Sequence, residues 1–312
     1  MGPFRVEPRF RVECRHQSFA PSSGIRWERG SVDRVTDADL PHFAPWIHGA
    51  EPGAAPVDPP IQVQWFGTDT VVLRQSMASD FEAPFLYLFF GSERALLVDT
   101  GATTDAATFP LRATIDLLLT TWLRLHSRDG YELVVTHSHA HGDHIAGDSQ
   151  FGDRPNTIVV GADLQSVRAF YGFGDDVDTP ATFELGDRLV EVLRIPGHDP
   201  TSVAVFDPAT GWLLTGDTVY PGRLYVTDAP AWIASIARLD DFASSHAVTA
   251  IMGCHIEMTT TPGIDYPAGT TWQPDEPPLP MSRAQLGRIR AVSDAALEVG
   301  RHVFDDFIIE PK

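Results

Sequence analysis

A chain of 312 residues, 43% of them hydrophobic, is long enough to bury a substantial core and too apolar for disorder. Its 23 basic and 42 acidic side chains leave a formal net charge of −19, a field that repels phosphate backbones and argues against a nucleic-acid partner. Two cysteines, Cys14 and Cys254, make no disulfide framework, and no apolar run approaches membrane-spanning length. The opening Met1-Gly-Pro-Phe-Arg-Val-Glu7 has no apolar core segment of the secretory kind, so a soluble cytoplasmic protein is the expectation.

In chain order, Phe4, Val6, Phe10, Val12 and Cys14 alternate with polar neighbours, as an extended arm does. Residues 41–60 are rich in Pro, Gly and Ala and read as irregular chain. Residues 1–60 therefore form an N-terminal extension, and residues 61–312 the main domain. A segment wrapping that domain is the simpler reading; an arm on a second copy, in a homodimer, is the alternative. From Ile61 the pattern is regular. Short β-rich runs at 61–66, 70–75, 85–90 and 94–99 are punctuated by Gly, Ser and Asp turns. Pro110 suits the first turn of a helix in which Leu111, Ile115, Leu118, Trp122 and Leu125 repeat at helical spacing. Residues 131–136 are a strand, a short helix starts at Ile145, a strand covers 157–160 and a helix 163–170. Strands at 188–194, 202–206 and 212–215 follow. The run 231–242 puts Trp232, Ile236 and Leu239 on one helix face, with Asp228 as its cap. A strand at 248–252 and a helix over 282–299, with Leu286, Ile289, Val292 and Ala296 inward, complete a mixed α/β pattern.

The densest chemistry lies in Val134-Val-Thr-His-Ser-His-Ala-His-Gly-Asp-His-Ile145, where a strand delivers His139, His141, Asp143 and His144 in the pattern HxHxDH. Imidazoles with one carboxylate suit zinc, iron or manganese, whereas calcium prefers oxygen shells. A polar surface loop would rarely gather these residue types at this spacing, so a metal site is the reading. Its context resembles the metallo-β-lactamase-fold hydrolase superfamily. The superfamily's strand ending in Asp-x-Gly is matched by Ala95-Leu-Leu-Val-Asp-Thr-Gly101. Its Gly-His loop is matched by Ile195-Pro-Gly-His-Asp-Pro-Thr-Ser202, its Gly-Asp by Leu213-Leu-Thr-Gly-Asp-Thr218, and its last histidine by Ile251-Met-Gly-Cys-His255. The resemblance covers roughly residues 61–260 and implies a four-layer αββα sandwich.

Carried over residue by residue, it implies that His139, His141 and His198 hold one metal and Asp143, His144 and His255 a second. Asp217 would bridge two zinc ions, iron or manganese being the alternatives. Two cations sharing a hydroxide would supply the nucleophile, oriented by Asp143, for hydrolysis. A carboxylate at Asp217, where cysteine-ligand β-lactamases differ, resembles the thioesterase, lactonase, phosphodiesterase and persulfide dioxygenase branches more closely, and the chain as a whole the glyoxalase II and lactonase-like members. The leading expectation is a dinuclear hydrolase of a small ester, thioester or lactone. A mononuclear iron persulfide dioxygenase is the alternative, with glyoxalase II or promiscuous β-lactamase activity behind it and a non-catalytic scaffold last. Glyoxalase II is a weaker variant because about one long helix follows residue 281, where that branch has a basic helical domain.

Other residues have competing roles. Tyr220 lies at the offset where lactone-cleaving relatives carry a carbonyl-donating tyrosine; a core tyrosine is equally consistent. Arg223 reads as a buried ion pair before a substrate contact. His137 reads as a hydrogen-bonding neighbour and Cys254 as a small buried hydrophobe. The turn-rich stretches 170–178 and 256–280, with Tyr266 and Trp272, are candidates for the pocket mouth, with core packing the alternative.

Overall fold

The structure is a computed structural model that describes residues 40–293, 295 and 300–312; the expected arm at Phe4–Cys14 and the inward Ala296 lie outside the described residues. The chain first lays down β1 (Ile61–Phe66), β2 (Thr70–Gln75), β3 (Phe85–Phe90) and β4 (Arg94–Val98). Then come α1 (Leu111–Leu123), β5 (Glu132–Thr136), α2 (Gly142–Ile145), β6 (Thr157–Val159) and α3 (Leu164–Tyr171). The second half runs β7 (Ala181–Glu184), β8 (Leu189–Arg194), β9 (Val203–Asp207), β10 (Trp212–Gly216), β11 (Arg223–Val226), α4 (Ala229–Ser245), β12 (Ala250–Gly253) and β13 (Pro280–Met281). It closes with α5 (Arg283–Ser293), β14 (His302–Val303) and β15 (Ile308–Pro311). One sheet is ordered β1-β2-β3-β4-β5-β6 and the other β13-β12-β10-β9-β8-β7, with a small third sheet β11-β15-β14.

Strand periodicity explains the layers. Along β3, Phe85, Tyr87 and Phe89 point into a core shared with Val190, Val205, Trp212 and Met252 of the second sheet. Their neighbours Leu86, Leu88 and Phe90 pack instead with Leu111, Ile115 and Trp122 of α1. A strand buried on both faces has no polar side to show, which is why its sequence is uninterrupted apolar. On the far side of the second sheet, Leu213 and Ile251 pack on Trp232, Ile236 and Leu239 of α4 and on Leu286 and Ile289 of α5. The order helix, sheet, sheet, helix is the expected αββα sandwich. Asp228 caps α4 by accepting from the Ala231 amide, and Asp163 caps α3 through Ser166. No helix among the described residues is long and apolar enough to cross a membrane.

Several local expectations are corrected. α1 stops at Leu123, and Leu125 is 85% exposed, because the Leu125 amide turns back to the Trp122 carbonyl and the helical face is lost. The helix expected from Ile145 begins at Gly142 and passes into a 3-10 turn over Ala146–Gln150. Strands β7, β11, β13, β14 and β15 were not expected. Tyr171 and Phe173 belong to the inter-sheet core, with Phe170 packed against it, so these aromatics are packing and not a pocket mouth. Within residues 40–60, the Arg74 guanidinium reaches the Ile47 carbonyl at 2.7 Å, and the Gln62 and Gln64 side chains bond the backbone of residues 44–47.

The topology sets up one functional edge. β4 and β5 are parallel with Val98 opposite Thr136, and β10 and β12 are parallel with Gly216 opposite Gly253. Asp99, the His137–His144 segment, Asp217 and His255 therefore all leave strands at the same end of the sandwich. β8 runs antiparallel to β9, as β9 does to β10, so His198 leaves from that end too.

Candidate metal centre

The structure brings together all seven residues expected to be ligands. His139, His141 and His198 form one group, and Asp143, His144, Asp217 and His255 another, each with its ligand atoms within 4.8 Å of one another. In the first group, the Nε2 atoms of His139 and His198 each lie 3.0 Å from His141 Nδ1. In the second, Asp143 Oδ2 is 3.1 Å from His144 Nε2 and 3.2 Å from His255 Nε2. Asp217 touches both: its Oδ2 lies 3.8 Å from the Nε2 atoms of His139 and His198 and 3.4 Å from that of His144, while its Oδ1 lies 3.5 Å from His255 Nε2.

Four of the five rings are aimed by a contact at the far nitrogen. His144 Nδ1 meets Asp99 Oδ2 at 2.9 Å, His198 Nδ1 the Tyr225 carbonyl at 2.9 Å, and His255 Nδ1 the Glu82 carbonyl at 3.0 Å. His139 Nδ1 faces the Ser138 hydroxyl at 3.1 Å. Such partners fix which nitrogen faces inward, as ligating histidines require. Asp99 is fully buried, adopts φ 70°, and also takes the Ser138 amide, the Ser138 hydroxyl and the Cys254 thiol. A non-glycine residue in that region is a strained backbone held by its surroundings. Gly197, at φ 135°, has no room for a Cβ, which would fall 2.4 Å from the Trp232 backbone; the loop carrying His198 can sit on α4 only as glycine.

The donor chemistry fits divalent cations. Tetrahedral ligands 2.0–2.1 Å from zinc stand about 3.3 Å apart, close to the observed separations between ring nitrogens. Asp217 Oδ1 is buried without a hydrogen-bond partner, a costly arrangement for a carboxylate unless a cation supplies the missing contact. Electrostatics distinguish the two groups. Burial drives His139 toward its neutral, ligand-competent form, reinforced by the neighbouring His144. Burial opposes ionisation of Asp143 and Asp217, but the surrounding histidines outweigh it and hold both carboxyls below the usual range. Burial likewise opposes the His255 cation, yet the Asp217 and Asp143 carboxylates push it up to about 9.

The remaining expectations divide. Tyr220 is turned elsewhere: its buried hydroxyl reaches the Arg223 carbonyl and lies 3.0 Å from Glu257 Oε2, so its proton is used within the protein and is not presented to the centre. Burial and the Glu257 carboxylate raise its pKa well above the ordinary phenol value. Arg223 makes the expected buried ion pairs, to Glu257 at 2.6 Å and Asp265 at 2.7 Å. His137 is held by Asp148 at 2.8 Å, and Cys254 is buried with its thiol on Asp99. Sequence reasoning missed the supports of the histidines. Asp99 had a signal, the aspartate of Asp-Thr-Gly; the Tyr225 and Glu82 carbonyls are backbone atoms and had none.

A sandwich that collects histidines and aspartates from the ends of both sheets is what defines the metallo-β-lactamase superfamily, and the chain belongs to it: the superfamily model matches residues 80–255. Among individual proteins, it is 27% identical over 125 residues to a hydroxyacylglutathione hydrolase of Mesorhizobium japonicum, covering 39% of this chain and 48% of the relative. It is 34% identical over 115 residues to one from a Synechococcus species, covering 35% and 45%. The chain thus spans about half the length of the curated relatives it matches. Among solved structures, the DIM-1 metallo-β-lactamase exposed to ceftazidime aligns with a TM-score of 0.52 at 16% identity, over 76% of this chain and 98% of that one. A metallo-β-lactamase from Erythrobacter litoralis gives 0.51 at 14%, over 76% and 97%. These likenesses show the fold.

Proposed function

We propose that the protein is a dinuclear hydrolase of a small ester, thioester or lactone. His139, His141 and His198 would hold one zinc ion and Asp143, His144 and His255 the other, with the Asp217 carboxylate lying between the two groups. The observation that carries this reading is the Asp217 carboxylate, within 4 Å of histidines from both groups and with one oxygen unpartnered. Bound there, the cations supply Lewis acidity and a water whose pKa is drawn toward neutrality. The chain's own residues do the rest. Asp143, ionised between His144 and His255, accepts a hydrogen bond from the attacking water and orients it. Asp99, Tyr225 and Glu82 keep the ligand nitrogens inward without help from the substrate. His141, with a side chain 45% exposed, marks the side from which substrate arrives. A thioester is favoured within the substrate class by the names of the hydroxyacylglutathione hydrolases.

Elemental analysis of protein expressed without metal supplementation tests the reading. About two zinc per chain, with turnover on a panel of thioesters, lactones and esters, is the expected result. About one iron per chain, with oxygen uptake on a glutathione persulfide, would replace it with the dioxygenase.

A further inference from the structure

Arg223 and Glu257 lie outside both ligand groups, yet each late member of those groups is one step from them. Arg223 opens β11, and two residues on, the Tyr225 carbonyl fixes His198 Nδ1 at 2.9 Å. Glu257 is two residues beyond His255. Tyr220, three residues beyond Asp217, packs its ring 5.8 Å from the His255 ring and sends its hydroxyl to the Arg223 carbonyl and Glu257. Between these segments the pair is fully engaged. The Glu257 carboxylate takes Arg223 Nη2 at 2.6 Å and the Arg223 amide at 2.7 Å. The guanidinium also donates to Asp265, to the Tyr266 carbonyl and, through Nε, to the Tyr225 hydroxyl at 3.0 Å. Both side chains are largely buried, at 9% and 13% exposure. A planar fork satisfied on three sides fixes direction as well as charge, which an ammonium cannot do.

We infer that the Arg223–Glu257 pair is a positioning device that sets His198, Asp217 and His255 in mutual register, and so sets the affinity of both metal positions. This rests on the two groups being metal sites. A pair that merely stabilises the fold makes a different prediction, because a buried ion pair can often be replaced by apolar side chains of similar volume without loss of stability.

The test uses the full chain and zinc alone, read by competition with a chromophoric chelator, alongside the visible spectrum of the cobalt-substituted protein. In the double variant R223M/E257M, and in E257Q, which keeps the shape of the side chain, zinc affinity falls about 10- to 100-fold. The cobalt bands shift even where the melting temperature equals that of the parent. Should the double variant fail to fold, E257Q carries the same readouts. A folded variant with parental zinc affinity and parental cobalt bands overturns the inference alone. A parent chain that takes up no zinc overturns the dinuclear reading, and the inference with it.

Discussion

Asp217 is the residue on which the two ligand groups converge, so its replacement is the most informative single change. Asp217→Asn keeps the volume and removes the charge shared by four histidines. On the proposed dinuclear reading, zinc content should fall from two per chain toward one, and kcat/KM by at least about 100-fold, read by elemental analysis and steady-state kinetics. Tyr220→Phe should do the reverse of what a substrate-facing phenol implies. Its hydroxyl bonds the protein interior, so the variant should lose about 1–3 kcal/mol of stability in denaturant titration while kcat stays within about threefold of the parent. A loss of kcat of about 100-fold with unchanged stability would return Tyr220 to the catalytic machinery.

At the scale of elements, α1 supplies a paired prediction. Leu118 is 7% exposed against the first sheet and Leu125 is 85% exposed beyond the helix end. Leu118→Ala should cost about 2–5 kcal/mol and Leu125→Glu less than about 0.5 kcal/mol, both measurable by urea unfolding. The same pair marks where the sequence stops being informative. Helical spacing identified α1 from Leu111 to Trp122 but could not see the turn that takes Leu125 out of register. The histidines and aspartates of the centre were legible because metal ligation demands rare residue types at fixed offsets from strand ends. β11, β14 and β15 were not, since strands of two to four residues owe their existence to partners far along the chain, and no local periodicity records that. The aromatics of residues 170–173 stayed open between pocket wall and core for a related reason: composition says they are apolar, not which surface they meet.

For the molecule as a whole, Arg188 and Asp207 form a buried link between the sheets. The guanidinium bonds Asp207 through two nitrogens while reaching the Asp69 and Phe90 carbonyls and the Thr70 hydroxyl of the first sheet. Burial disfavours the Asp207 carboxylate, but Arg188 outweighs burial and its pKa lies below the ordinary value. A carboxyl with a lower pKa in the folded state stabilises that state above the unfolded pKa of about 3.9, and the contribution disappears as pH falls through the folded value. Stability should therefore decline below about pH 4. Asp207→Asn should flatten that decline while costing about 3–5 kcal/mol near neutrality, because Arg188 is left buried without its partner. On the proposed reading, metal acts at the same scale. Free zinc at 100 times its Kd should add about 2.7 kcal/mol per site to the native state, seen as a rise in melting temperature that a chelator reverses.

The parallel pairing of β11 with β15 has a consequence in time. The strand that carries the Tyr225 carbonyl, and with it the aim of His198, completes its sheet only when Ile308–Pro311 dock beside it. A chain emerging from the ribosome thus has all seven residues of the two groups made before the strand that completes this sheet. The support behind His198 is therefore completed by a segment made long after the strand it steadies, so a chain halted between the two would leave the aim of that ring unset.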